Sequence, residues 1–210
     1  MRELDEVDYN HIHLPDRYRC ADFGLIQDEK VKSYIKTYLL NIRRMREEGN
    51  GFLLYGKNGV GKTMALSVIL RAFRMHGQSC LYILAPDIAE AAIEGTIMEE
   101  LGCKLWDYMR GVDVLLIDEL GKEHDSKSGW SATKMENLFR SRYSNNLVTL
   151  VSTNLRPQRL KNKPSIDAMD KRYKHSMLNV IGSCMYVMQM DGVDLRQGKL
   201  PDLKKPDTDN

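Results

Sequence analysis

From Gly56 to Thr63 the chain reads GKNGVGKT, an unbroken match to G-x-x-x-x-G-K-[ST]. It stands between the short apolar run GFLLYG (51–56) and a segment of helical period that runs from Lys62 to about His76. Phosphate oxygens need several N–H donors converging on a small volume, and glycines at 56, 59 and 61 let the backbone wrap that closely. Lys62 is then expected to bridge the terminal phosphates as a point charge, with the Thr63 hydroxyl on Mg2+ and the helix N-terminus adding partial positive charge. The expected phosphate-binding set is Gly56, Lys57, Asn58, Gly59, Val60, Gly61, Lys62, Thr63 and Met64. Strand, glycine turn and helix in that order lead to an α/β fold.

The rest of the chain keeps the same alternation. SCLYILA (79–85), VDVLLIDEL (112–120), LVTLVSTN (147–154) and CMYVMQM (184–190) read as four more strands. Helical stretches are expected from Pro86 to about Glu94, near Glu99–Met109, and from Ala132 to Tyr143. The run VDVLLIDEL is continuously apolar, which implies a strand covered on both faces, so a five-stranded parallel sheet flanked by helices is expected. Ahead of the glycine loop, Val31, Tyr34, Ile35, Tyr38, Leu39, Ile42 and Met45 recur at three- and four-residue steps and predict one amphipathic helix from Asp28 to about Glu48. Residues 1–27 read as an extended lead-in, 28–196 as the domain itself, and the polar, proline-punctuated 197–210 as a disordered tail.

Composition excludes several classes. The chain has 210 residues, 42% of them hydrophobic, which suits one ordinary core. Its net charge is +2, so no bulk field draws it to nucleic acid or to an anionic membrane, and any polyanion binding must be local. Four scattered cysteines form no CxxC pair, which gives no sign of a disulfide framework or a zinc knuckle. No apolar stretch reaches the roughly 18 residues of a membrane span, and no signal-like segment opens the chain. A reduced cytoplasmic protein is the simplest expectation.

A metal-bound triphosphate needs a second anchor, and VLLIDEL supplies one. Its apolar residues carry Asp118 to the carboxyl end of the sheet, where Asp118 can hold the metal through water. Glu119 follows directly, placed to orient and polarise a water for in-line attack. The next strand also ends in polar groups, Ser152, Thr153 and Asn154. Of these, Asn154 is the candidate to hydrogen-bond both the attacking water and the γ-phosphate.

Taken together, GKNGVGKT, LLIDEL, ENLFRSRY (136–143), VTLVSTNL (148–155), MDKRY (169–173) and GVDLR (192–196) resemble the AAA+ ATPase module of the bacterial DnaC-type replicative helicase loaders. The IstB-type ATPases of insertion-sequence transposition share this signature. The resemblance covers roughly Leu14 to Arg196 and includes the lead-in phrase LPDRYRCADF (14–23). It implies an ATPase whose nucleotide sits between neighbouring subunits, and which engages single-stranded DNA and a hexameric replicative helicase. By position, Asn154 matches the first sensor, Arg172 the arginine finger acting in trans, and Arg196 the second sensor arginine. Only residues 191–210 follow Met190, too few for the helical lid of larger AAA+ proteins, and no lid is expected. Loaders of this type contact the helicase through a dedicated N-terminal domain, whereas here residues 1–27 alone precede the first expected helix.

Seven basic residues, Arg156, Arg159, Lys161, Lys163, Lys171, Arg172 and Lys174, stand against Asp167 and Asp170 and form the local patch expected to track a phosphate backbone. A helicase loader that hydrolyses Mg-ATP and binds single-stranded DNA is therefore the leading expectation. A transposition ATPase that selects target DNA, a nucleotide switch with little turnover, and a small-molecule kinase are the alternatives. The kinase fits least, because such enzymes need arginines on a lid and a pocket for the phosphate acceptor.

Overall fold

The computed structural model describes residues 3–99, 101–123, 129–157 and 169–195. In chain order the lead-in forms α1 (Glu6–His11), α2 (Asp16–Arg19) and a single 3-10 turn (Phe23–Leu25), followed by α3 (Glu29–Leu40) and α4 (Ile42–Glu47). Then come β1 (Gly51–Tyr55), α5 (Lys62–Met75), β2 (Cys80–Leu84), α6 (Ala85–Glu94), β3 (Ile97–Met98), β4 (Cys103–Lys104), α7 (Leu105–Gly111) and β5 (Val114–Leu120). The remainder is α8 (Trp130–Ser144), β6 (Val148–Thr153), a 3-10 turn (Met169–Lys171), α9 (His175–Cys184) and β7 (Met185–Gln189).

Five strands form one sheet in the order β2-β5-β6-β1-β7, and every pairing in it is parallel. Side chains alternate across it and fill two cores. Phe52 and Leu54 of β1, Leu116 of β5 and Leu150 of β6 pack beneath α3, α4 and α5. Leu53, Leu115, Ile117 and Val151 face α6, α7, α8 and α9 on the other side. The expected five-stranded parallel sheet flanked by helices is therefore present. Among the described residues no helix follows β7, and none is long and apolar enough to cross a membrane.

Three local expectations are corrected. The single helix over 28–48 is two, broken at Asn41, whose side-chain amide donates to the Thr37 carbonyl and competes with the helical ladder. Asp28 still caps the first of them, accepting from the Val31 N–H at 3.0 Å. The helix expected near Glu99–Met109 starts only at Leu105, because Met98 and Cys103 pair in a small antiparallel hairpin.

The lead-in is helical rather than extended. Ile12, Leu14 and Ile26 are buried in the α5-side core, each such side chain stabilising by about 1.5–3 kcal/mol. The Ile12 carbonyl also accepts the Tyr82 N–H at 2.8 Å, so the lead-in covers the free edge of β2.

Candidate functional site

The glycine turn, the start of α5 and the carboxyl ends of β5 and β6 meet in one cleft of about 770 Å3. Gly59 and Gly61 adopt φ of +80° and +97°, and Gly61 is the residue from which α5 starts. A Cβ on Gly59 would lie 1.8 Å from Asp194 Oδ1, because Asp194 and Leu195 pass over the loop and Leu195 N–H donates to the Gly59 carbonyl at 3.0 Å. The positive φ favours glycine at position 59, and a side chain there would also have to displace the Asp194 carboxylate.

Lys62 is buried, and its ammonium donates to the carbonyls of Gly56 and Lys57 at 2.9 and 2.7 Å and to Asn154 Oδ1 at 3.0 Å. The Asn154 amide in turn donates to Asn58 Oδ1 at 2.8 Å. The sensor candidate just past the end of β6 therefore touches both the lysine and the phosphate loop, although 92 residues separate it from Lys62. Thr63 Oγ1 donates to Asp118 Oδ1 at 2.9 Å. Two hard oxygen donors on neighbouring elements suit Mg2+. Among the described residues no group of three His, Cys, Asp or Glu side chains is placed to hold a metal. A cation at Thr63 and Asp118 must therefore complete its coordination with phosphate oxygens and water.

Asp118 and Glu119 are consecutive on β5, and a regular strand would turn them to opposite faces. The register shows how both serve the cleft. Ile117 pairs with Val151 and Leu120 with Thr153, so two residues of β5 oppose the single residue Ser152 of β6. This is a β-bulge, and Glu119 takes φ of +60° within it. Ser152 pins it: its hydroxyl accepts from the Glu119 N–H at 3.0 Å and donates to Asp118 Oδ1. Asp118 lies buried beneath the cleft, while Glu119 lines it and pairs with Lys122 at 2.8 Å.

A third hydroxyl reaches Asp118. Tyr82 OH donates to Asp118 Oδ2 at 2.8 Å, and burial, with the Asp118 charge adding, pushes the phenol far above its ordinary range. Ser152 is one of the polar strand-end residues that the sequence brings to the site, whereas Tyr82 is not a sequence candidate. The signal for Tyr82 was its polar atom two residues before the end of an otherwise apolar strand.

Arg17, Tyr18, Leu25 and Gln27 of the lead-in also line the cleft, as does Leu195. Sequence reading placed this phrase next to the core without giving it a site.

Arg172 is not among the cleft residues. Its guanidinium pairs with Glu123 Oε2 at 3.1 Å and donates to the Glu123 carbonyl. Tyr173 OH lies 2.7 and 2.9 Å from the two oxygens of the same carboxylate, and burial, then the Glu123 charge, pushes that phenol up as well. Arg196 lies outside the described residues, as do Arg159, Lys161 and Lys163 of the basic patch.

The family model for the bacterial DnaA ATPase domain matches residues 17–177. The replicative helicase loader DnaI of Bacillus subtilis (strain 168) is 23% identical over 199 residues, covering 93% of this chain; the chain spans 60% of that relative's length. A crystal structure of DnaI superposes with a TM-score of 0.62 at 23% identity, over 87% of this chain and 94% of the other. A crystal structure of the DnaC helicase loader gives 0.67 at 23% identity, over 84% and 100%. The replication initiator DnaA bound to AMPPCP and single-stranded DNA gives 0.62 at 17% identity, over 86% and 51%. At these identities the likenesses show the fold, which is that of the AAA+ P-loop proteins.

Proposed function

The chain belongs to the family of the bacterial DnaA ATPase domain, and from that premise we propose that it binds and hydrolyses Mg-ATP and acts in DNA replication as a helicase loader. One observation carries the nucleotide reading: Lys62, Thr63, Asp118 and Asn154, from three separate elements, converge within hydrogen-bond distance at one end of the sheet. A polyphosphate with a divalent cation uses that combination of ammonium, hydroxyl, carboxylate and carboxamide beside a glycine loop.

In the proposed reaction the N–H groups of residues 57–63 and the Lys62 ammonium hold the β- and γ-phosphates. Thr63 and Asp118 would hold Mg2+, which when bound would supply positive charge against the phosphate oxygens. Glu119, turned into the cleft by the bulge, orients the water for in-line attack, and Asn154 leaves Lys62 to bond the γ-phosphate and that water. Arg172 then acts on the nucleotide of a neighbouring subunit, so turnover depends on assembly into a homo-oligomer. In the isolated chain its guanidinium is held by Glu123, and assembly has to draw it out. Arg196 follows directly after Leu195 of the cleft wall, which supports its reading as a second sensor.

The loader reading draws on the relatives: DnaI is a replicative helicase loader and DnaC a helicase loader, and the DnaA structure holds single-stranded DNA. Arg156, Lys171, Arg172 and Lys174 supply the basic surface for that strand. The test combines ATPase assays with and without single-stranded DNA and pull-down from the native host. Recovery of a hexameric helicase supports the loader reading. Recovery of a transposase instead moves the chain to the transposition ATPases.

A further inference from the structure

We propose that Tyr82 is a positioning residue for the metal site, its hydroxyl holding the Asp118 carboxylate in the orientation that receives nucleotide-bound Mg2+. The inference rests on the Mg-ATP reading above and extends it to a residue on a strand that carries no recognised nucleotide motif.

The two carboxylate oxygens of Asp118 are held differently. Oδ1 accepts from both Thr63 Oγ1 and Ser152 Oγ, whereas Oδ2 accepts from Tyr82 alone. Thr63 can bind the metal through a lone pair while its O–H still donates to Asp118, so Oδ1 keeps two donors and the orientation of Oδ2 falls to Tyr82. With Tyr82 gone, Oδ2 has no donor among the described residues, and a carboxylate held at Oδ1 alone is freer to turn about its terminal torsion, which has a broad profile.

Register explains why this residue reaches. Leu84 pairs with Asp118 across β2 and β5, and Tyr82, two residues earlier, lies on the same face as their diagonal neighbour. A phenol is long enough to span that diagonal, and the ring is fixed on both sides. It is 7% exposed, belongs to the α5-side core, and packs against the Tyr18 ring with centroids 6.3 Å apart. Its backbone N–H is bonded to Ile12, so the strand cannot slide away from β5. The hydroxyl is thus presented to Asp118 by a rigid support, the arrangement that outer partners of metal-holding carboxylates require.

The test uses Tyr82→Phe, which keeps the ring and removes the oxygen, with Tyr82→Leu as a second variant should the first not fold. Mn2+, which is visible by EPR, is titrated into the complex with a non-hydrolysable ATP analogue, and analogue affinity is measured separately in EDTA. The expected result is Mn2+ binding weakened at least about tenfold, with analogue affinity in EDTA unchanged. Equal Mn2+ affinity in variant and unaltered protein overturns the inference while leaving the Mg-ATP reading intact. An equal loss of analogue affinity with and without metal also overturns it, since the hydroxyl would then support the cleft as a whole. If the unaltered protein itself fails to bind the analogue, the underlying Mg-ATP reading is what fails.

Discussion

Glu119 carries the reaction in the proposed mechanism, and it does so from a backbone conformation that L-residues with long side chains rarely take, φ of +60°. The left-handed region costs such a residue about 1–2 kcal/mol, while asparagine tolerates it better because its short side chain bonds locally. Glu119→Asn should therefore raise stability by about 0.5–1 kcal/mol in urea unfolding, and it should also abolish multiple-turnover ATP hydrolysis. Glu119→Gln keeps the strain and should lose hydrolysis alone, leaving ATP affinity within about twofold, since the substitution leaves the phosphate-binding groups untouched. Equal turnover in the Gln variant and the unaltered protein rejects the role. At this scale the sequence was informative where one short segment holds the whole motif. GKNGVGKT and the acidic pair could be read directly. Tyr82 could not, since it acts only through Asp118, 36 residues away, and a contact at that separation depends on strand order; Ser152 could be read as a polar strand end, but not its bonds to Asp118 and to the Glu119 N–H.

At the level of elements, the alternation of strand and helix was legible because a parallel sheet buries both faces and leaves continuous apolar runs. The breaks were not. Asn41 divides one helical period into two helices without disturbing the periodicity, and the hairpin at Met98–Cys103 carries too few residues for a pattern. Another element-scale feature hid inside the motif phrase ENLFRSRY. Arg142 on α8 is fully buried and donates to Thr149 Oγ1 and to the carbonyls of Met109, Val112, Asp113 and Val148. No carboxylate pairs with it among these contacts. It ties the end of α7 and the starts of β5 and β6 to α8, which makes this arginine structural. Arg142→Lys offers three donors without the planar fork, leaves carbonyls unpaired, and should destabilise by about 3 kcal/mol or more, read as a lowered urea midpoint with an unchanged slope. Leu14→Ala probes the lead-in in the same way. With its side chain 1% exposed, it should cost about 2–5 kcal/mol.

For the whole molecule, the proposed trans role of Arg172 makes hydrolysis a property of the assembly. ATPase activity per protein should rise with protein concentration and then level off, because subunits must associate before a finger reaches the neighbouring site. A mixture of Arg172→Ala and Glu119→Gln proteins, each inactive alone, should recover part of the activity at interfaces where an intact Arg172 faces an intact Glu119. A flat concentration profile, with no recovery in the mixture, removes the trans role. All of this presupposes a nucleotide in the cleft. The most direct test is the equilibrium binding of a fluorescent ATP analogue, with Mg2+, to the unaltered protein and to Lys62→Ala. Saturable binding that weakens at least about tenfold in the variant, with circular dichroism unchanged, is the predicted result. The same affinity in both proteins would contradict the account.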